Sequence, residues 1–185
     1  MEFLLSASVV TLAEIGDKTQ LLALLLAARY RKPWPIVAGM LVATLANHAA
    51  AAGLGQLVSH WLTPDILRWV LGLSFLAVAA WTLIPDALDE EESSAYRHGP
   101  FLATLVLFFL AEIGDKTQVA TIMLAAQYAS LVSVVAATTL GMMLANVPVV
   151  WLGGKVAGKL PLKPIRMAAA LLFAALGIYA LALGV

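Results

Sequence analysis

The sequence predicts an all-α integral membrane protein whose six transmembrane helices form two inverted three-helix repeats. Three observations carry that expectation. Of 185 residues, 62% are hydrophobic and only 12% charged, whereas a soluble domain carries about 25% charged residues. Six apolar stretches reach the length of about 20 residues that a helix needs to cross a hydrocarbon core. The heptapeptide Ala-Glu-Ile-Gly-Asp-Lys-Thr occurs twice, at 13–19 and 111–117, and each copy is extended by a glutamine, Gln20 and Gln118.

The spans fall near 3–28, 35–58, 66–84, 100–127, 131–154 and 164–184. Arg29-Tyr30-Arg31-Lys32-Pro33-Trp34-Pro35 closes the first with charge, aromatic anchors and two prolines that cannot continue a helix. The third ends at Ile84-Pro85. The halves are then 1–84 and 100–185, joined by an acidic cytoplasmic linker at 85–99. Its five acids, Asp86, Asp89, Glu90, Glu91 and Glu92, read as a solvated tether. Correspondence between the halves extends beyond the heptapeptide. Ala27-Ala28-Arg29-Tyr30 aligns with Ala125-Ala126-Gln127-Tyr128, Ala46-Asn47 with Ala145-Asn146, and Gly55 with Gly154. Three helices per half is an odd number, so the second half must be inverted, an architecture that places sites at the midplane between repeats.

Charge orients the chain. Arg29, Arg31, Lys32, Arg97, Lys155, Lys159, Lys163 and Arg166 lie in loops on one side, and Arg68 alone on the other. The positive-inside rule puts the basic loops in the cytoplasm and both termini outside it. Met1-Glu2 leads into the first apolar run without a basic n-region, so that segment is expected to be retained rather than cleaved. Trp34, Trp61, Trp69, Trp81 and Trp151 fall mostly near span ends and read as an interfacial belt. A formal net charge of zero argues against nucleic acid as a partner. The absence of cysteine excludes disulfides, thiolate metal sites and thiol catalysis.

The twin heptapeptide is where chemistry is expected. Each charged side chain at the bilayer centre costs about 2.5–3.5 kcal/mol, so each copy costs roughly 8–10 kcal/mol. A leucine returns only about 0.5 kcal/mol. Intramembrane charge at that cost points to function. Glu14 and Asp17 are three residues apart, as are Glu112 and Asp115, which on a continuous helix puts each pair on one face. Facing one another, the four carboxylates must bind cations or hold protons. Hard divalent ions take oxygen ligands. Thr19, Gln20, Asn47, Thr117, Gln118 and Asn146 are the supporting candidates. With no cysteine and no histidine in the motif, copper and zinc are disfavoured.

Lys18 and Lys116 stand four residues after Glu14 and Glu112, which suits an ion pair within one helix. A second reading points them to the interface as gates. With both lysines charged, the four carboxylates leave minus two, which one divalent cation or two protons neutralise. The bland reading, a structural ion-pair network between repeats, fits poorly, because buried pairs rarely offset their desolvation. Gly16 and Gly114 suit either close helix approach or local unwinding. His48 has no counterpart in the second half and reads as a packing or water-cavity residue. Met142 and Met143 read as packing against neighbouring helices.

The motifs Glu14-Ile15-Gly16-Asp17-Lys18-Thr19 and Glu112-Ile113-Gly114-Asp115-Lys116-Thr117 resemble the twin E-x-G-D-[KR]-[TS] signature of the Gdt family of cation transporters. That family includes a Golgi manganese/calcium transporter and bacterial manganese exporters, and it is grouped with the cation/calcium exchangers. The resemblance spans essentially the whole chain. It implies export of Mn²⁺, with Ca²⁺ as a second substrate, in exchange for protons. It also implies no prosthetic group, an ion site built from the acids of both motifs, and a bacterial plasma-membrane location, with a homodimer left open. Two other classes compete. An intramembrane aspartyl protease would use Asp17 and Asp115 as a dyad, but has no use for the flanking Glu and Lys. A passive divalent cation channel would use the acids as rings.

Overall fold

The computed structural model describes residues 1–84, 98–152 and 162–183. The five acids of the expected linker and most of the expected loop at 153–163 lie outside the described residues. Eight helices run in order: α1 Glu2–Glu14, α2 Lys18–Tyr30, α3 Pro33–Trp61, α4 Pro64–Thr82, α5 Gly99–Glu112, α6 Lys116–Gln127, α7 Leu131–Leu152 and α8 Leu162–Leu183. No strand occurs among the described residues. Helices α3, α4 and α7 are long and apolar enough to cross a membrane, and α5 and Met167–Ala182 are shorter apolar helices.

The structure departs from the expected continuous helices at 3–28 and 100–127. Each is broken at its heptapeptide, into α1–α2 and α5–α6. The cause is local. Ile15 and Ile113 are extended, with ψ of 115° and 121°, and Gly16 and Gly114 adopt φ of 82° and 74°. A residue with a Cβ is strained at such φ, so glycine is required at both positions. Asp17 and Asp115 then take extended N-cap geometry and start the second helix of each pair.

Contacts between the halves follow one pattern. Along α1 and α7, Thr11 meets Gly141 and then Glu14 meets Asn146, so the two helices run parallel. Their counterparts α5 and α3 do likewise: Gly39 lies against Phe101 and Thr104, Asn47 against Phe109, and Gly55 against Ile122 in α6. Helices α4 and α8 pack antiparallel, with Gly72 against Gly177 and Leu181, Leu76 against Gly177, and Phe75 stacked on Phe173 at 6.3 Å. At one end of the bundle Trp34 and Trp151 meet edge to face at 5.3 Å. Elsewhere, a cavity of about 640 Å³ gathers Met1, Leu4, Gln127, Tyr128, Leu176 and Tyr179.

The bundle exposes apolar side chains and buries a polar set beside its apolar core. Leu54, Leu57, Leu73, Leu102, Leu110, Leu144 and Leu171 are exposed, while Thr44, Thr104, Thr121, Thr138, Asn47 and Asn146 are buried. Exposed threonines would need lipid-side partners. Buried, Thr104, Thr121 and Thr138 donate to the carbonyls of Pro100, Thr117 and Val134, four residues back.

The α4–α8 crossing tolerates no extra atom. A Cβ at Gly177 would lie 2.8 Å from the Gly72 carbonyl oxygen and 2.9 Å from Leu76 Cγ, whereas one at Gly53 in α3 meets nothing within 4 Å. Gly177→Ala is therefore expected to destabilise by about 1–3 kcal/mol. Gly53→Ala is expected to stabilise by up to about 1 kcal/mol through helix propensity. Thermal unfolding of both variants in one detergent should show shifts of opposite sign.

Candidate metal centre

Breaking the two helices creates four helix ends inside the bundle. Glu14 and Glu112 are the last residues of α1 and α5, whose terminal carbonyls carry the negative end of the helix dipole. Asp17 and Asp115 sit at the positive N-termini of α2 and α6, where a carboxylate is favoured. Asp115 Oδ1 accepts a hydrogen bond of 2.6 Å from the Lys116 amide. The glutamines after the motif satisfy the broken backbone. Gln20 Oε1 accepts from the Gly16 amide at 2.9 Å, and Gln118 Oε1 from the Gly114 amide at 2.8 Å. Gln20 Nε2 also donates to the Ala145 carbonyl at 3.0 Å, which ties the first break to α7.

The breaks bring the acids together. Oxygens of Glu14, Glu112 and Asp115, all buried, lie within 4.8 Å of one another. Glu14 Oε1, Glu112 Oε1 and Asp115 Oδ2 have no hydrogen-bond partner among the described residues. Three buried carboxylates this close, with free oxygens, have the donor character of a hard-cation site. Thr19 Oγ1 donates to Glu14 Oε2 at 2.6 Å and Asn146 Nδ2 approaches the same oxygen at 3.4 Å, while Thr117 Oγ1 lies 3.5 Å from Glu112 Oε2. Asn47 turns instead to the Phe109 carbonyl, at 3.0 Å.

The lysines pair differently from the within-helix arrangement that their spacing suggested. Once the helix is broken, i and i+4 no longer share a face. Each lysine crosses to the aspartate of the other half. Lys116 Nζ lies 2.7 Å from Asp17 Oδ1 and is 3% exposed, whereas Lys18 Nζ lies 4.0 Å from Asp115 Oδ2 and is 27% exposed. Asp17 is thus held in an ion pair beside the carboxylate cluster.

His48, read from the sequence as a packing or water-cavity residue, and Met142, read as packing, both lie beside this centre. His48, fully buried on α3, places Nε2 3.9 Å from Glu112 Oε2. Met142 Sδ accepts from Asn146 Nδ2 at 2.9 Å. The available signal for His48 was its place beside Asn47, one step along a helix that carries a candidate site residue.

A lipid-facing helical bundle with a buried, lysine-balanced acidic centre at two helix breaks defines a multi-pass membrane transporter for cations. Comparison with known proteins gives the particular kind. The family described as "Divalent cation/proton antiporter GDT1" matches residues 2–90 and 100–184, and the chain belongs to that family. A Vibrio cholerae serotype O1 protein named "Putative manganese exporter" is 62% identical over 170 residues, covering 91% of this chain and 84% of its own. The Synechocystis "GDT1-like protein sll0615" is 30% identical over 184 residues, 89% of this chain and 88% of its own. "GDT1-like protein 4" of rice is 31% identical over 166 residues, 75% of this chain but 58% of its own length. No solved structure matches the chain.

The two ion pairs differ enough to be told apart. Removing Lys116 leaves Asp17 buried without its close cation, so Lys116→Met is expected to cost about 3–5 kcal/mol. The longer, part-exposed pair makes Lys18→Met worth no more than about 1 kcal/mol. Chemical unfolding in detergent measures both. Asp17→Asn added to Lys116→Met should restore part of the loss, and equal losses from the two single variants would contradict the assignment.

Proposed function

We propose that this antiporter exports Mn²⁺ across the cytoplasmic membrane in exchange for entering protons, with Ca²⁺ as a second substrate. The observation that carries the proposal is the meeting of Glu14, Glu112 and Asp115 oxygens at the junction of the two halves. In this reading Glu14, Asp17, Glu112 and Asp115 hold the ion, and Thr19, Thr117 and Asn146 orient the glutamates. Gln20 and Gln118 keep the breaks open, and Lys18 and Lys116 gate the site by engaging the opposite aspartates. One divalent ion or two protons offset the two surplus negative charges. Loading the metal therefore displaces protons from the same oxygens. The manganese choice is supported by the name of the Vibrio cholerae relative, and family membership supports the proton coupling.

The proposed topology is six crossings in two inverted repeats, 1–84 and 100–185, with 85–99 as the linker. Several contacts support it. The α2–α3 turn spans only Arg31 and Lys32, so α3 returns alongside α1–α2. Because α3 runs parallel to α5–α6, the two broken helices then point in opposite directions, as do α4 and α8. Trp34, beside Arg31 and Lys32, touches Trp151, just ahead of Lys155, which favours one shared basic face. That face would be cytoplasmic, with both termini outside. The protease reading finds less support, since each aspartate has a lysine of the other half near it.

Reconstituted vesicles test the proposal. Mn²⁺ leaving through the protein should speed up when the receiving side is acidified, because protons then move down their gradient in the opposite direction. A protonophore should abolish that stimulation. Glu14→Gln and Glu112→Gln should each reduce transport to background. Flux that ignores pH and survives Glu112→Gln would indicate a passive pathway. Growth of a deletion strain that is sensitive to calcium or magnesium, but not to manganese, would reject the substrate.

A further inference from the structure

Asn47 is followed by His48 whereas the matching Asn146 is followed by Val147, so the second half offers no imidazole at the corresponding place. His48 is 0% exposed. Neither of its ring nitrogens has a hydrogen-bond partner among the described residues. A buried imidazole without partners forfeits hydrogen bonds on both sides of the ring. It does so here while Nε2 faces Glu112 Oε2 at 3.9 Å. Ligands around an octahedral ion at about 2.1 Å stand roughly 3 Å apart when adjacent and about 4.2 Å apart when opposite. The separation of 3.9 Å is close to the opposite-ligand spacing, so one ion can be shared by the two atoms with small movements, His48 joining from outside the Glu14, Glu112 and Asp115 oxygens that lie within 4.8 Å of one another.

We propose that His48 is a specificity-determining ligand of the transported ion, whose Nε2 adds a nitrogen donor to a site otherwise made of oxygens. The consequence is a bias in the choice of metal. Ca²⁺ and Mg²⁺ take oxygen ligands and gain little from imidazole. First-row transition ions accept it, and their affinity for nitrogen-containing sites rises from Mn²⁺ to Co²⁺. The acidic ligand candidates attract every divalent cation, whereas His48 separates Mn²⁺ from the far more abundant hard ions. It also explains why one half alone carries the histidine: a single nitrogen breaks the symmetry of the site without adding charge to it. This inference rests on the metal site proposed above, and its test is separable from that of the site.

The purified full-length protein is loaded with Mn²⁺ and studied by pulsed electron paramagnetic resonance. Imidazole coordination should give ¹⁴N modulation of the Mn²⁺ signal in the unaltered protein, and His48→Gln should remove it while Mn²⁺ still binds. Competition binding with Ca²⁺, Mn²⁺ and Co²⁺ supplies the second readout. His48→Gln should weaken Mn²⁺ on the order of tenfold or more, the size expected when a metal-site contact is lost. Co²⁺ should weaken further, and Ca²⁺ should change little. Mn²⁺ bound with no ¹⁴N modulation, or equal weakening of all three ions by His48→Gln, would overturn the role of His48 while leaving the acidic site standing. Failure of the unaltered protein to bind Mn²⁺ at all, or Mn²⁺ binding unaffected by Glu112→Gln, would instead reject the site.

Discussion

Carboxylates enclosed in a lipid-facing bundle cannot be ionised and unaccompanied, and that constraint organises the rest of this molecule. In water an aspartate is solvated freely; here Glu14, Asp17, Glu112 and Asp115 are all buried. Three sources of positive potential compensate them. Helix N-termini are aimed at the aspartates, a lysine arrives from the opposite half, and hydroxyl and amide donors approach Glu14. Each source requires a particular backbone. The N-termini exist only because glycine permits the breaks, and the lysines cross over only because the breaks turn them away from their own glutamates.

The crossing of the lysines has an architectural consequence. Neither half contains a complete set of partners, because Asp17 is answered by Lys116 and Asp115 is approached by Lys18. The interface between halves and the ionic centre are therefore one object. Packing matches this. Helix α1 lies on α7 and α5 on α3, so each broken helix is supported by an unbroken one from the other half. Farther out, α4 and α8 close against each other where Gly72 and Gly177 let the backbones approach. A charge network that needs both halves and a close-packed clamp between them hold the two breaks against each other.

Much of this was legible in the sequence, for definite reasons. Charge in an apolar run is so costly that Glu14, Asp17, Glu112 and Asp115 stand out without any structure. The break itself was also encoded. Asp-Lys-Thr-Gln places an N-cap residue three positions before a glutamine, the spacing of a capping box, directly after a glycine. Reading the stretch as one continuous helix missed that signal, because hydropathy averages over about 19 residues and does not see a three-residue interruption. The crossed ion pairs were not legible, since i, i+4 reasoning assumes an intact helix. His48 was missed for a different reason. The repeat was the guide to function, and a residue present in only one half is invisible to a comparison of halves.

Identical heptapeptides nevertheless end in unlike surroundings. Lys116 is buried and closely paired where Lys18 is part-exposed and distant, and Thr19 bonds Glu14 at 2.6 Å where Thr117 stands 3.5 Å from Glu112. The same seven side chains thus support a tight and a loose environment within one molecule. Exchanging the two would call for no contact of a new kind. In the proposed antiport cycle that exchange would turn the site from one side of the membrane to the other. Charge then decides when it can happen. With one divalent ion or two protons the centre is neutral, but empty and ionised it carries two surplus negative charges into a rearrangement that lipid penalises heavily. In that proposed cycle, passage of the empty site is the step the bundle would resist, and suppressing it would tie metal movement in one direction to proton movement in the other.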